Sequence, residues 1–199
     1  FGNDGRLLYV INELNSTISV FERVENANYQ EVQVVPTLAP DFDGESFCAD
    51  LHLSPDGKFL YGSNRGENTI VIFAVDRTSG KLELVGRESV RGDWPRNFSM
   101  DPTGEFLLVA NKKTSNIVVF KRDKENGTLT FLNETEHPSP VCLVFLAGVA
   151  LSREAGFGVS SFSEFSRPSG RFSAQVSDLS HENVLDLKTR VSDLSGCLT

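Results

Sequence analysis

The sequence predicts an all-β chain made of consecutive β-propeller blades, and three observations carry that prediction. A unit of 47 to 52 residues recurs, each copy divides into short strands, and turns bearing Pro and Gly separate those strands at matching places.

The repeat is visible by direct alignment. Ser54-Pro-Asp-Gly-Lys-Phe-Leu-Tyr-Gly-Ser-Asn64 matches Asp101-Pro-Thr-Gly-Glu-Phe-Leu-Leu-Val-Ala-Asn111 without a gap at an offset of 47 residues. The match continues from Asn68-Thr-Ile-Val-Ile-Phe73 to Ser115-Asn-Ile-Val-Val-Phe120. An earlier copy, Asn3-Asp-Gly-Arg-Leu-Leu-Tyr-Val-Ile-Asn12 with Thr17-Ile-Ser-Val-Phe21, precedes the second by 52 residues. Its five additional residues are expected within the Gly- and Asp-containing loop Pro40 to Phe47.

Within each copy the elements follow in a fixed order. Pro-Asp-Gly and Pro-Thr-Gly combine a preset φ with a glycine that tolerates positive φ, as a tight turn between strands requires. Apolar or alternating segments of five to seven residues come next, as half-buried and buried strands do. A last strand closes each unit, as in Lys81-Leu-Glu-Leu-Val85 and Thr128-Leu-Thr-Phe-Leu132. Four strands per unit of this length is the spacing of a propeller blade. A β-sandwich would use similar strands, but nothing in a sandwich explains the regular repetition.

After Phe145 the repeat stops, so residues 1–148 are expected to form the propeller part and 149–199 a tail outside it. The tail contains Val-Ser-Asp-Leu-Ser twice, at 176–180 and 191–195. Val184, Leu187, Val191, Leu194 and Leu198 alternate at spacings of three and four, the pattern of a short amphipathic helix. Disordered chain is the other reading, above all for 149–175.

Composition narrows the functional classes. The net charge is −8 and no Lys/Arg cluster occurs, which argues against nucleic acid or an anionic membrane surface as partner. A small anionic ligand remains open, because a few arginines in a pocket can outweigh a negative surface. Cys48, Cys142 and Cys197 are odd in number and widely spaced, so neither a disulfide framework nor a zinc pairing is expected, and a reducing compartment fits. The longest apolar run, Val141 to Leu151, is short for a bilayer. Sequons at Asn15, Asn97, Asn126 and Asn133 are read as turn composition. The chain opens on Phe1 and its one methionine is Met100, so it is not expected to begin at its own start codon.

In a blade, the first strand begins and the second ends on the same face of the disc, so residues there ring the central channel. Second-strand ends are Asn12-Glu13, Asn64-Arg65 and Asn111-Lys112. The repeated Asn suggests a scaffold role such as bonding loop backbone. The residue after it changes from Glu to Arg to Lys, which points to an asymmetric site. First strands begin at Ala49-Asp50-Leu51-His52 and Arg96-Asn97-Phe98-Ser99. Alternation sends Leu51 and Leu53 between the sheets and is expected to turn Asp50 and His52 toward the channel. The candidate catalytic residues are Glu13, Arg65 and His52, and the candidate substrate-binding residues are Arg96, Asp50 and Lys112. Glu or His can activate water, and Arg can hold a carboxylate, a phosphate or an oxyanion. The bland reading is a propeller with a polar channel mouth, in which Glu13 and Lys112 are solvated loop residues, Asp50 bonds backbone amides and His52 is a satisfied interior histidine.

Several segments carry a more specific likeness. Leu8-Tyr-Val-Ile-Asn-Glu-Leu-Asn-Ser-Thr-Ile-Ser-Val-Phe21, Asp41-Phe-Asp-Gly-Glu-Ser46 and Cys48-Ala-Asp-Leu-His-Leu-Ser-Pro-Asp-Gly57 resemble the lactonase propeller family. So do Tyr61-Gly-Ser-Asn-Arg65, Pro95-Arg-Asn-Phe98 and Pro138-Ser-Pro-Val-Cys142, the resemblance covering about 1–146. That family includes 6-phosphogluconolactonases and fungal carboxymuconate cycloisomerases. The resemblance implies a seven-bladed propeller with a channel-mouth site of Arg, Glu and His, needing no metal and no cofactor. Glu13 and Arg65 match its acidic and basic positions, and Arg96 lies in its Pro-Arg motif. A further arginine, a histidine and more blades are implied upstream of Phe1. The chain is therefore expected to be about three four-stranded blades of an incomplete enzyme, with open edges through which copies could associate. The implied activity is hydrolysis of 6-phospho-D-glucono-1,5-lactone, a pentose phosphate pathway step, in the cytoplasm. The alternatives are cycloisomerisation of a carboxylated muconate, with arginines as carboxylate clamps, and a non-catalytic propeller that binds a protein partner.

Overall fold

A computed structural model describes residues 1–2, 5–25 and 28–145; the expected tail, with its amphipathic helix, lies outside the described residues. Eleven strands form three antiparallel sheets among these residues. The first sheet holds β1 (Leu7–Asn12), β2 (Thr17–Arg23) and β3 (Tyr29–Pro36). The second holds β4 (Phe47–Leu53), β5 (Phe59–Arg65), β6 (Thr69–Val75) and β7 (Leu82–Ser89). The third holds β8 (Pro95–Met100), β9 (Phe106–Asn111), β10 (Asn116–Arg122) and β11 (Leu129–Glu136). Each sheet is a simple meander, so the copies seen in the sequence are successive blades. Four strands were expected per copy. The first sheet has three, because it starts at the strand equivalent to β5 and β9. The connection 37–46 between β3 and β4 is five residues longer than 90–94 between β7 and β8, which places the extra residues of the first copy where they were expected. Phe1–Leu143 forms one compact unit, and the second unit, Val144–Thr199, is described only at Val144 and Phe145. Among the described residues no helix is long and apolar enough to cross a membrane.

The middle blade shows why its inner strands read as continuous apolar runs. Every residue of β5 is buried. Leu60, Val71 and Phe73 pack on one face with Leu7, Tyr9, Ile18 and Val20 of the first blade. Tyr61, Ile70 and Ile72 pack on the other with Phe98, Leu107, Val109, Val118 and Phe120 of the third. Period-2 alternation therefore sorts side chains between two neighbouring blades rather than between core and solvent. The outer strands expose alternate positions, most of them polar, as in β11, where Thr130, Glu134 and Glu136 are exposed together with Leu132.

Turns and seams repeat with the strands. Ser54 Oγ and Asp101 Oδ1 accept the amides of Phe59 and Phe106, while Gly57 and Gly104 both sit at φ 68°. Across the seams, Tyr9 Oη donates to the Gly80 carbonyl at 3.0 Å and Tyr61 Oη to the Gly127 carbonyl at 2.8 Å. Burial raises both phenols to about 12, so they stay donors. Gly80 and Gly127 have φ of 73° and 79°, and a Cβ there would stand 2.4 Å from Leu7 and from Phe59 respectively.

A charged link strengthens the second seam. Arg122, at the end of β10, buries its guanidinium and donates to Asp56 Oδ2 at 2.7 Å, the Tyr61 hydroxyl at 2.9 Å and the Gly104 carbonyl at 3.0 Å. Burial pushes the Asp56 carboxyl up. Hydrogen bonds from Ser54, Arg122 and the Lys58 amide outweigh it and hold the group at about 2. The stability it contributes is complete above the ordinary aspartate range and is lost as pH falls toward about 2. Asp56→Asn leaves the buried Arg122 charge without its carboxylate and is expected to destabilise the fold by about 3 kcal/mol in denaturant melts at neutral pH. The gap between wild type and variant should close on acidification, and a constant gap down to pH about 2 would exclude the pair as its source.

Candidate active site

The ends of β1 and β5 and the starts of β4 and β8 meet at one rim of the blades. β4 opens opposite the end of β5, with Phe47 paired to Arg65 and Cys48 to Asn64. β8 opens the same way, with Pro95 paired to Asn111. Glu13 follows β1, and its carbonyl accepts the Cys48 amide at 3.1 Å, which clips the first blade to the second at this point. The register shifts between Cys48 and Leu51 and between Pro95 and Asn97, so Ala49–Asp50 and Arg96 lie on bulges beside the rim. Bulges of this kind re-aim side chains without ending a sheet.

Arg65 is the centre of the arrangement. Its side chain is only 9% exposed, yet its Nη2 donates to Glu13 Oε1 at 2.5 Å and to the Cys48 carbonyl at 2.8 Å. Nε reaches the Phe47 carbonyl at 3.3 Å. The guanidinium lies 5.3 Å from the Trp94 ring centroid and 6.0 Å from that of Phe47. Glu13 itself is 60% exposed, and its Oε2 accepts no hydrogen bond among the described residues. The rim thus presents a carboxylate fixed at one oxygen by a buried cation and open at the other. Coulombic attraction in such a partly desolvated pair is stronger than between two solvated ions.

The remaining sequence candidates divide into two places. Arg96, two residues after Trp94, and Lys112, whose amide donates to the Trp94 carbonyl at 3.1 Å, are exposed. Neither makes an ion pair among the described residues. His52 is placed elsewhere. It pairs with Tyr61, four residues along β5 from Arg65, which at the rise of a strand is about 13 Å away. Its Nε2 stands 3.1 Å from Asp50 Oδ2, and its ring meets the Phe98 ring edge-on at 4.8 Å. Leu51 packs toward the first blade and His52 leans on Phe98 of the third, with 38% of the His52 side chain and 24% of the Asp50 side chain exposed. Asp50 Oδ2 accepts from the Asn97 side chain at 2.5 Å and the Phe98 amide at 3.2 Å, and Oδ1 from the Leu51 amide at 2.9 Å. Burial works to raise its carboxyl, but the His52 contact and the two amides hold it below the ordinary aspartate range.

The recurring asparagines do scaffold work. Asn64 Nδ2 reaches the Thr37 carbonyl at 3.3 Å and Glu67 Oε2 at 3.0 Å, and Asn111 Nδ2 the Val90 carbonyl at 2.9 Å. Asn12 instead bonds Thr17 and Ser19 on its own hairpin. Cys48 donates to Asn64 Oδ1 at 3.3 Å, and burial pushes its thiol up, so it serves as a buried donor rather than a nucleophile. Pro95 occupies the equivalent place in the third blade and offers no such donor, which is why Asn111 Oδ1 is buried without a partner. Among the described residues no three His, Cys, Asp or Glu side chains gather as a metal site. Sequence reasoning missed Trp94 and Phe47. The signal for both was their place, 47 residues apart, immediately before or at the start of an inner strand.

Comparison with known proteins places this rim in context. A 6-phosphogluconolactonase of Bacillus subtilis is 43% identical over 140 residues, covering 69% of this chain and 40% of that protein. A 6-phosphogluconolactonase of Formosa agariphila is 45% identical over 103 residues, covering 51% of this chain and 29% of that protein. A periplasmic gluconolactonase of Pseudomonas aeruginosa superposes with a TM-score of 0.69 at 39% identity, covering 71% of this chain and 40% of that one. The chain thus spans about two fifths or less of the length of these relatives. Residues 1–145 match the family model described as lactonase, 7-bladed beta-propeller. Repeat, blades and family match agree, and the chain belongs to the seven-bladed β-propeller lactonase family.

Proposed function

We propose that the protein built on these blades hydrolyses 6-phospho-D-glucono-1,5-lactone to 6-phosphogluconate, with the rim around Arg65 as part of its active site. The observation that carries the reading is the Glu13 carboxylate, held at Oε1 by Arg65 and open at Oε2. Relatives named 6-phosphogluconolactonase support the substrate class. In this reading Glu13 Oε2 takes a proton from water as the water oxygen bonds to the lactone carbonyl carbon. The carbonyl becomes an oxyanion, which a rim cation stabilises. Collapse breaks the bond to the ring oxygen, which leaves with the proton that Glu13 held. Arg96 and Lys112, both exposed at the rim, are the cations available to the phosphate and the oxyanion.

Asp50 and His52 have a different place in the proposal. The Asp50 carboxylate fastens β4 to β8, and His52 braces it from the side, so their contribution is to hold the rim in shape. The reading also sets the reaction in the cytoplasm. The periplasmic gluconolactonase among the similar structures makes the unphosphorylated lactone the competing substrate.

Three outcomes test these assignments. Glu13→Gln is expected to lower kcat at least about 100-fold with little change in KM, measured as lactone hydrolysis above the spontaneous rate; unchanged kcat removes Glu13 from the chemistry. Arg96→Ala should raise KM for the phosphorylated lactone by about tenfold, the size of one lost charge-assisted contact, and leave that for gluconolactone unaltered. Equal effects on both substrates would detach Arg96 from the phosphate. Asp50→Asn turns a donor toward Asn97 and Phe98 and should destabilise the fold by about 2 kcal/mol. Since the Asp50 carboxyl is depressed in the fold, the loss should be full at neutral pH and shrink as pH falls through the carboxylate range.

A further inference from the structure

Trp94 is the one tryptophan in the sequence, and its backbone sits at φ 68°, in the left-handed region that an aromatic side chain rarely adopts. Such strain persists only where surrounding contacts over-determine it, and it gathers at working sites. The contacts here are specific. The Trp94 amide donates to Asn68 Oδ1 at 3.0 Å, its carbonyl accepts the Lys112 amide at 3.1 Å, and Pro95 follows directly. The indole is half-buried and belongs to neither apolar core between the blades. Its ring instead meets two cations, the Arg65 guanidinium at 5.3 Å and Lys113 Nζ at 3.6 Å, with the Phe47 ring 6.1 Å away.

The Trp94 indole packs into neither apolar seam between the blades. It is carried by a strained backbone to the side of a guanidinium whose hydrogen bonds run to Glu13 and to two carbonyls of β4. Phe47 and Trp94 come from successive blades at equivalent repeat positions, so together they flank Arg65 with rings from both sides of a seam. Glu13 is the exposed partner of the pair and takes its position from Arg65. The position of Arg65 is in turn limited by the ring beside it.

We propose that Trp94 is a positioning residue: it holds the Arg65 guanidinium by cation–π contact and thereby sets where the Glu13 carboxylate stands. The proposal rests on the reading of Glu13 and Arg65 as part of a lactone-hydrolysing site and adds the residue on which their geometry depends. A displacement of about 1 Å at the carboxylate is enough to lower a rate by about 100-fold.

The test combines turnover with a signal that needs no turnover. In the full chain, Trp94→Leu should lower kcat for 6-phosphogluconolactone by about 100-fold while KM changes less than about threefold, and Trp94→Phe should restore most of the loss. Should Trp94→Leu fail to fold, Trp94→Phe and Trp94→Tyr retain a ring and decide the point by near-native kcat. Emission from the one tryptophan reports the same coupling directly. Glu13→Gln should shift it, because the guanidinium beside the indole loses its anchor, and Glu22→Gln, on the same blade away from the rim, should not. A Trp94→Leu protein with native kcat, or an indole emission indifferent to Glu13→Gln, overturns the positioning role. If Glu13→Gln itself leaves kcat intact while the emission shifts, the reading of the site fails and the Trp94–Arg65–Glu13 coupling stands.

Discussion

A propeller blade is covered on both faces, and most of what is described above follows from that constraint. Strands β5 and β6 have no solvent side, so nearly every side chain between Phe59 and Phe73 that lies within a strand must be apolar or fully bonded. Polar and ionisable groups are left the ends of strands and the turns. The chemistry of the rim is thus a by-product of packing. Glu13, Arg65 and Lys112 stand where their strands run out, and Arg96 stands on a bulge where pairing is already irregular. Arg65 is the residue that tests the limit, because it is the last of β5 and nine-tenths buried. Its charge is tolerated there because two carbonyls, one carboxylate and two aromatic faces surround it.

The same constraint explains how blades are joined. Apolar contact between sheets is non-directional and leaves sliding in the sheet plane weakly opposed. Directional links add to it at the two ends of the seams and also between outer strands, where Gln33 bonds both the amide and the carbonyl of Leu82. At the rim they include the Asp50 carboxylate with Asn97 and Phe98, the Glu13 carbonyl with Cys48, and the Arg65–Glu13 pair. At the far end they are the Tyr–Gly bonds and the Arg122–Asp56 pair. Two sheets pinned at both ends hold their mutual register, and the geometry at the rim inherits that precision.

Much of this was legible in the residues. The 47-residue offset gave the number of copies and their turns, and the difference of five residues located the long connection 37–46. Comparing equivalent positions singled out Glu13, Arg65 and Lys112 as candidates, because the asparagines repeat and the residues after them do not. Alternation placed Leu51 and Leu53 on one face of β4 and Asp50 and His52 on the other, but it carried no sign that the second face leans on Phe98 and Asn97 of the next blade. The fixing of Glu13 by Arg65 was not legible, since it joins residues 52 apart that lie in different blades. Trp94 was marked in the sequence by its place alone, 47 residues after Phe47, because its backbone conformation is invisible in composition.

The Tyr–Gly bond has one further implication. Its donor lies in one blade and its acceptor in the next, always in chain order: Tyr9 to Gly80, then Tyr61 to Gly127. The middle blade carries both halves, a hydroxyl for its successor and a carbonyl for its predecessor. A tandem duplication of such a unit would therefore arrive with its own connectors, able to dock on its parent from the first generation. In the third blade Leu108 stands where the tyrosine would be, so that copy receives the bond and passes none on. A unit that carries leucine at this position can accept a neighbour but has no hydroxyl to offer one.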